Sequence, residues 1–198
     1  MRKSHIFFVA VSLLVCIGCS PRDFLTRRLA ADLIAASSAF NMPQTYSLQT
    51  GSFSNQQYLV AEPQVLQRHG WISANTVPCP PGISPPPCWD VLLTPSGIET
   101  VRSIVGSQPN EASTWQIPAR RRELVAITGI ARDGNRADVE FAWKWIPLNE
   151  IGAALYPDSD QHTSTVAFRD FDDGWRVVEN SQAGQSLQDA LKSVEPSH

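Results

Sequence analysis

From Ala137 to Trp145 large apolar residues alternate with mostly polar ones: Ala137, Val139, Phe141, Trp143 and Trp145 against Asp138, Glu140, Ala142 and Lys144. A period of two places every second side chain on one face, so this stretch reads as a strand with one buried and one wet face. Such a strand needs antiparallel neighbours, and its flanks provide them. Asp133-Gly134-Asn135 is a strong hairpin turn behind a strand over 122–131. Pro147 stops the alternation, and Asn149 can cap a short helix through Leu155. A third strand fits 163–170, Asp172-Asp173-Gly174 is a turn, and a fourth strand fits 175–179. A terminal helix follows over 186–194, with Leu187, Ala190 and Leu191 inward. The expected fold is α+β: over 115–196, a C-terminal antiparallel meander sheet packed by helices.

The first half reads as a helical part over 23–106. Leu25, Leu29, Leu33 and Ala36 recur at helical spacing. Residues 41–56 are polar, with Pro43 and Gly51, and read mostly as loop. A second helix fits 62–69, with Pro63 in its first turn and Gly70 after its end. Thr94 can cap a third helix with Pro95 first, and Ser96 with Glu99 offers a second capping box. The stretch 106–114 is polar and reads as a linker.

The leader is a separate matter. Arg2 and Lys3 precede an apolar run from Ile6 to Ile17, then Gly18-Cys19-Ser20. The run is too short to span a bilayer, which takes about 20 apolar residues. The pattern resembles a bacterial lipoprotein signal, and the chain resembles uncharacterised bacterial secreted lipoproteins. The resemblance implies a signal peptide over 1–18, cleavage after Gly18, lipidation of Cys19 with a palmitate-type acyl anchor, and a tether over 19–22. Cys16 stands where that family usually has Leu. Ser20 stands where enteric lipoproteins held at the inner membrane tend to carry Asp. The implied address is the cell outer membrane, facing the periplasm, if the host is Gram-negative. An ordinary cleaved signal and an uncleaved anchor are the alternatives.

Removal of the leader takes the formal charge from −3 to −5. A mildly acidic chain is a poor general polyanion binder. The local pattern Val65-Leu66-Gln67-Arg68-His69-Gly70-Trp71-Ile72 and Leu92-Leu93-Thr94-Pro95-Ser96-Gly97 resembles the end of a winged-helix module. With no basic recognition helix and an envelope address, nucleic acid is not expected as a partner. The segment from Ala137 to Val178 resembles sheet regions of bacterial secreted proteins, and a curved cystatin-like or nuclear-transport-factor-like sheet is the fold that this implies.

With Cys16 in the leader and Cys19 lipidated, Cys79 and Cys88 remain as a pair in an oxidising compartment. They bracket a proline-rich run over 80–87 that cannot sit in a central strand or helix, so a disulfide closing a protruding loop is expected. A redox-active pair is the alternative, without a Cys-x-x-Cys motif to support it. Trp89, next to Cys88, is expected to cover the bond.

Catalytic motifs are mostly missing: no Gly-x-Ser-x-Gly, phosphate loop, dinucleotide fingerprint or His-Glu-x-x-His occurs. No catalytic residue, metal ligand or cofactor is assigned. The acidic runs at 158–160 and 170–172 lack the glycine and terminal glutamate of a calcium loop. His69 reads as a helix-end cation, and His162 and His198 as solvated. Arg120-Arg121-Arg122 reads either as a solvated strand edge pairing with residues such as Glu140 or as a contact for anionic headgroups or an acidic partner. Phe141, Trp143, Trp145, Phe168 and Trp175 read as core or as the lining of a cavity.

The expected function is that of a lipid-anchored envelope protein with a non-catalytic binding or structural role. It would reach an envelope protein partner through a surface at the proline-rich loop with Trp71 and Trp89. The competing expectation is a small-molecule binder or enzyme using a cavity of the C-terminal sheet.

Overall fold

The computed structural model describes residues 24–81, 86–106, 114–157, 160–178 and 186–194. The leader, Cys19 and the tether lie outside them, as do the loop tip, the centre of the expected linker, residues 158–159 of the first acidic run, the last residue of the expected fourth strand and His198. Mixed helices and antiparallel strands form the fold, as the alternation required. Seven helices are described: α1 (Arg27–Ala36), α2 (Ser38–Asn41), α3 (Asn55–Tyr58), α4 (Ala61–Arg68), α5 (Pro95–Val105), α6 (Glu150–Leu155) and α7 (Leu187–Lys192). The strands are β1 (Gln44–Gln49), β2 (Gly51–Ser54), β3 (Ile72–Val77), β4 (Cys88–Leu93), β5 (Thr114–Asp133), β6 (Arg136–Pro147), β7 (Gln161–Phe171) and β8 (Gly174–Val177). One sheet runs β1-β5-β6-β7-β8, a meander with β1 added at its end, and a smaller one runs β2-β4-β3.

Two compact units divide the described residues, and neither is continuous in sequence. One takes the residues through Ser37, Ala126–Phe141 and those from Ser164 onward. The other takes Ser38–Val125 and Ala142–Thr163. Each therefore draws on both the 23–106 and the 115–196 segments.

In the first unit, Thr26 caps α1 by accepting from the Leu29 N–H at 3.1 Å. Ala30 and Ile34 are its buried face. They join Val139, Phe141, Val166, Phe168 and Trp175 from alternate positions of β6, β7 and β8 in a buried apolar set. Ser186 caps α7, whose Leu187, Ala190 and Leu191 are buried as their spacing implied. The Ser164 hydroxyl donates to the Ala190 carbonyl at 3.1 Å and ties β7 to that helix.

The second unit is built around Leu48, Leu66, Trp71, Ile72, Val91, Val101, Ile117 and Ile151. Residues 44–54, expected as loop, are instead β1 and β2. Tyr46 and Leu48 point inward while Thr45, Ser47 and Gln49 stay wet, so the period of two is present but short and polar. Pairing with β5 supplies the backbone bonds that such a segment lacks alone. β5 starts at Thr114, well before the expected 122, and tolerates Pro118 because the β1 register shifts there. That irregularity frees two carbonyls. Asn149 Nδ2 donates to Pro118 O at 2.7 Å and Leu148 N to Ala119 O at 2.9 Å. Asn149 also caps α6, accepting from Gly152 N at 2.9 Å.

Two glycines allow close approaches in this unit. A Cβ on Gly97 would stand 1.9 Å from Trp71 O, and one on Gly152 would stand 1.9 Å from Ala119 O. Thr94 alone caps α5, with Gly97 N donating to its hydroxyl at 3.0 Å; Ser96 lies inside the helix and opens no second one.

Candidate functional site

The residues singled out in the sequence come to rest as follows. Cys79 and Cys88 are bonded with Cα atoms 5.0 Å apart, closing the β3–β4 hairpin next to the Val77–Cys88 pair. Trp71 is 6% exposed, inside the core of the second unit, with His69 stacked on it at 4.7 Å. Its ring therefore offers no free surface, a correction to the expected interaction surface. Trp89 stacks on Tyr58 at 4.3 Å and donates Nε1 to Asn55 Oδ1 at 3.2 Å. Cys88, the residue before it, points to the opposite face of β4, so Trp89 packs on α3 instead of covering the disulfide. Both tryptophans serve one apolar core.

Arg120-Arg121-Arg122 is not a uniformly solvated edge. Arg120 is buried, Arg121 exposed and Arg122 half-buried, the alternation of a strand. The Arg120 guanidinium lies 4.6 Å from the Trp145 ring and 4.3 Å from Tyr156. Arg122 lies 4.5 Å from Trp145 and 5.6 Å from Trp143. Each has polar partners too: Arg120 Nε donates to Gln44 Oε1, and Arg122 Nη1 to Ala39 O at 3.0 Å. Delocalised guanidinium is weakly hydrated and stacks on aromatic faces, so it tolerates this burial. His162 belongs to β7 and packs on Trp143 at 4.7 Å, not in a polar turn. Phe141, Trp143 and Phe168 are fully buried, and Trp145 and Trp175 are 4% exposed, so these aromatics are core residues of their units.

A hollow exists elsewhere in the second unit. A cavity of about 300 Å³ lies against β1, α4 and the small sheet. Its floor is Leu48, Leu66, Ile72 and Val91, all buried. Its rim carries Tyr46, Gln57, Val60 and Glu62. Burial, then the Glu62 carboxylate, pushes the Tyr46 phenol up to about 12, so it remains a hydrogen-bond donor across the physiological range. Burial also raises Tyr156, against the opposing effect of Arg120. An apolar floor with a donor and a carboxylate on its edge suits recognition of an apolar group that carries a cation. Sequence reasoning passed over Tyr46 and Glu62; the Tyr46–Leu48 alternation was the one signal for the first.

A second hollow of about 270 Å³, in the first unit, is bordered by Asp133, Arg136, Asp138 and Arg169 and is mainly polar. No helix among the described residues is long and apolar enough to cross a membrane. The chain matches no family model, no curated protein and no solved structure.

Proposed function

We propose that this is a lipid-anchored cell-envelope protein with a non-catalytic binding role, and that its binding site is the pocket beside β1. The observation that carries the binding role is the preformed apolar floor edged by the Tyr46 phenol and the Glu62 carboxylate. The address rests on the leader: a signal peptide over 1–18 and acylation of Cys19, which hold the protein at the periplasmic side of the outer membrane in a Gram-negative host. The Cys79–Cys88 bond supports an oxidising compartment. The order of α4, the β3–β4 hairpin and α5 supports a winged-helix-like reading of 62–105, here used as scaffold for the pocket and not as a reader of nucleic acid.

The second reading, a small-molecule binder or enzyme, draws on the same Tyr46–Glu62 pair. Two variants test the proposal. Cys19→Ala should move the protein from the membrane to the soluble fraction, and continued membrane attachment refutes lipidation. Val60→Trp, at the half-exposed rim, should block uptake of an apolar fluorescent dye without changing the circular dichroism spectrum. Undiminished uptake removes the pocket as the site.

A further inference from the structure

We infer that the pocket receives a side chain from an extended segment of a partner polypeptide, which pairs with the free edge of β1 and sets a lysine or arginine on Glu62. This deepens the pocket-binding reading and rests on it.

β1 is an end strand; among the described residues its strand neighbour is β5 alone. An edge exposes backbone N–H and C=O groups to any passing strand, and folded proteins usually blunt it with charge, proline or extreme shortness. The two ends of this sheet differ in that respect. β8 has four residues and carries Arg176. β1 has six, Gln-Thr-Tyr-Ser-Leu-Gln, with neither charge nor proline. Its one irregularity is the register shift at Gln44 and Thr45, which leaves the rest regular.

The pocket lies on that unprotected stretch. Four successive residues, Tyr46 to Gln49, border it. Successive side chains of a strand point to opposite faces, so a hollow touching all four runs along the edge, where the backbone groups are. An extended peptide added there satisfies its own and β1's backbone groups, and drops alternate side chains into whatever pocket adjoins. Here the adjoining floor is apolar, which selects an apolar side chain.

Charge fixes the rest of the occupant. Among the described residues that border the pocket, Glu62 alone is charged, and the Tyr46 phenol beside it is neutral. A lysine or arginine of the peptide gives Glu62 a charge-assisted partner. Leu59 and Val60, 56% and 50% exposed, extend the apolar surface outward from the rim toward the rest of such a segment.

The test is selection of a random library of short displayed peptides on the full-length protein held in mild detergent. Enriched peptides should alternate apolar residues and share a lysine or arginine. Methylating alternate backbone nitrogens of an enriched peptide should weaken it at least about tenfold, since a strand needs those donors. Glu62→Gln should weaken the basic peptide several-fold and leave its norleucine counterpart unchanged. Val60→Trp should abolish binding of both. No enrichment, or equal binding of the methylated peptide, overturns the strand-adding partner; dye uptake blocked by Val60→Trp would then still uphold the pocket. Equal peptide and dye binding by Val60→Trp overturns the pocket reading itself.

Discussion

Within one unit of this protein, two groups of aromatic and charged side chains end in opposite states. Arg120 and Arg122 lie over Trp145, with Tyr156 and Trp143 alongside, at 4.3 to 5.6 Å from ring centroid to guanidinium carbon. Tyr46 and Glu62 stand over Leu48, Leu66, Ile72 and Val91, and room remains. Spacing and bulk account for the difference. Two arginines two residues apart on β5 meet two tryptophans two residues apart on β6, large enough to close the gap. β1 has one large residue on its inward face before Leu48, and α4 gives that side Pro63 and Leu66, so the hollow stays open. A closed cluster holds a fold together; an open one is where a partner can be taken.

The largest effect that can break this contrast is steric. Gly152→Ala and Gly97→Ala should each cost about 3 kcal/mol or more, because a Cβ would meet backbone carbonyls that cannot withdraw. Trp143→Ala, in the closed cluster, should cost about 3–5 kcal/mol in urea unfolding, whereas Val60→Trp at the open one should stay within about 0.5 kcal/mol of wild type. Similar costs for those two would erase the distinction between filled and open.

Arg120→Ala should follow at about 2 kcal/mol, and Arg120→Lys should recover only part, because ammonium keeps the charge and loses the planar stack. Full recovery by lysine would show that charge alone matters there. Replacing both Cys79 and Cys88 by serine should cost at most about 2.5 kcal/mol, less than a flexible loop of that size would lose, since the prolines already restrict the unfolded segment.

The smallest effect is a pH slope. The Tyr46 phenol is raised from 10.0 to about 12 in the folded protein, so the fold favours its protonated form. That contribution is complete below pH 10 and is lost as pH rises toward about 12. Urea midpoints should therefore fall across this window, and fall less in Tyr46→Phe. An unchanged slope in Tyr46→Phe would mean that the phenol stands in water and the pocket is wetter than its lining implies.

Much of the larger sheet was legible from local pattern. The strands over 136–147 and 161–171 follow the alternation of their apolar residues, except that Ala142, expected on the wet face, is buried between Phe141 and Trp143, and the Asp133-Gly134 and Asp172-Asp173-Gly174 turns fall between strands. Thr94 and Asn149 cap the helices that they were expected to open, while Ser186, expected as the first residue of its helix, is that helix's cap. The pocket was not legible. Its strand, Gln44–Gln49, is polar and short, and it forms because β5, about 70 residues further along, gives it a register. The burial of Arg120 was equally hidden, since three consecutive arginines look solvated until their strand is set beside Trp145 and Tyr156.

The sequence by itself determined the Asp133-Gly134 and Asp172-Asp173-Gly174 hairpins, the Thr94 and Asn149 caps, the Ala137, Val139, Phe141, Trp143 and Trp145 face of β6 and the pairing of Cys79 with Cys88. These depend on groups a few residues apart, where bond geometry and side-chain period leave few options. Only the tertiary structure decided that β1 is an end strand of its sheet, that Arg120 and Arg122 are stacking residues, and that a pocket lies by Tyr46. Those outcomes rest on partners far along the chain, such as Gln44 for Arg120 and Ala39 for Arg122, and no local pattern announces which distant surfaces will meet.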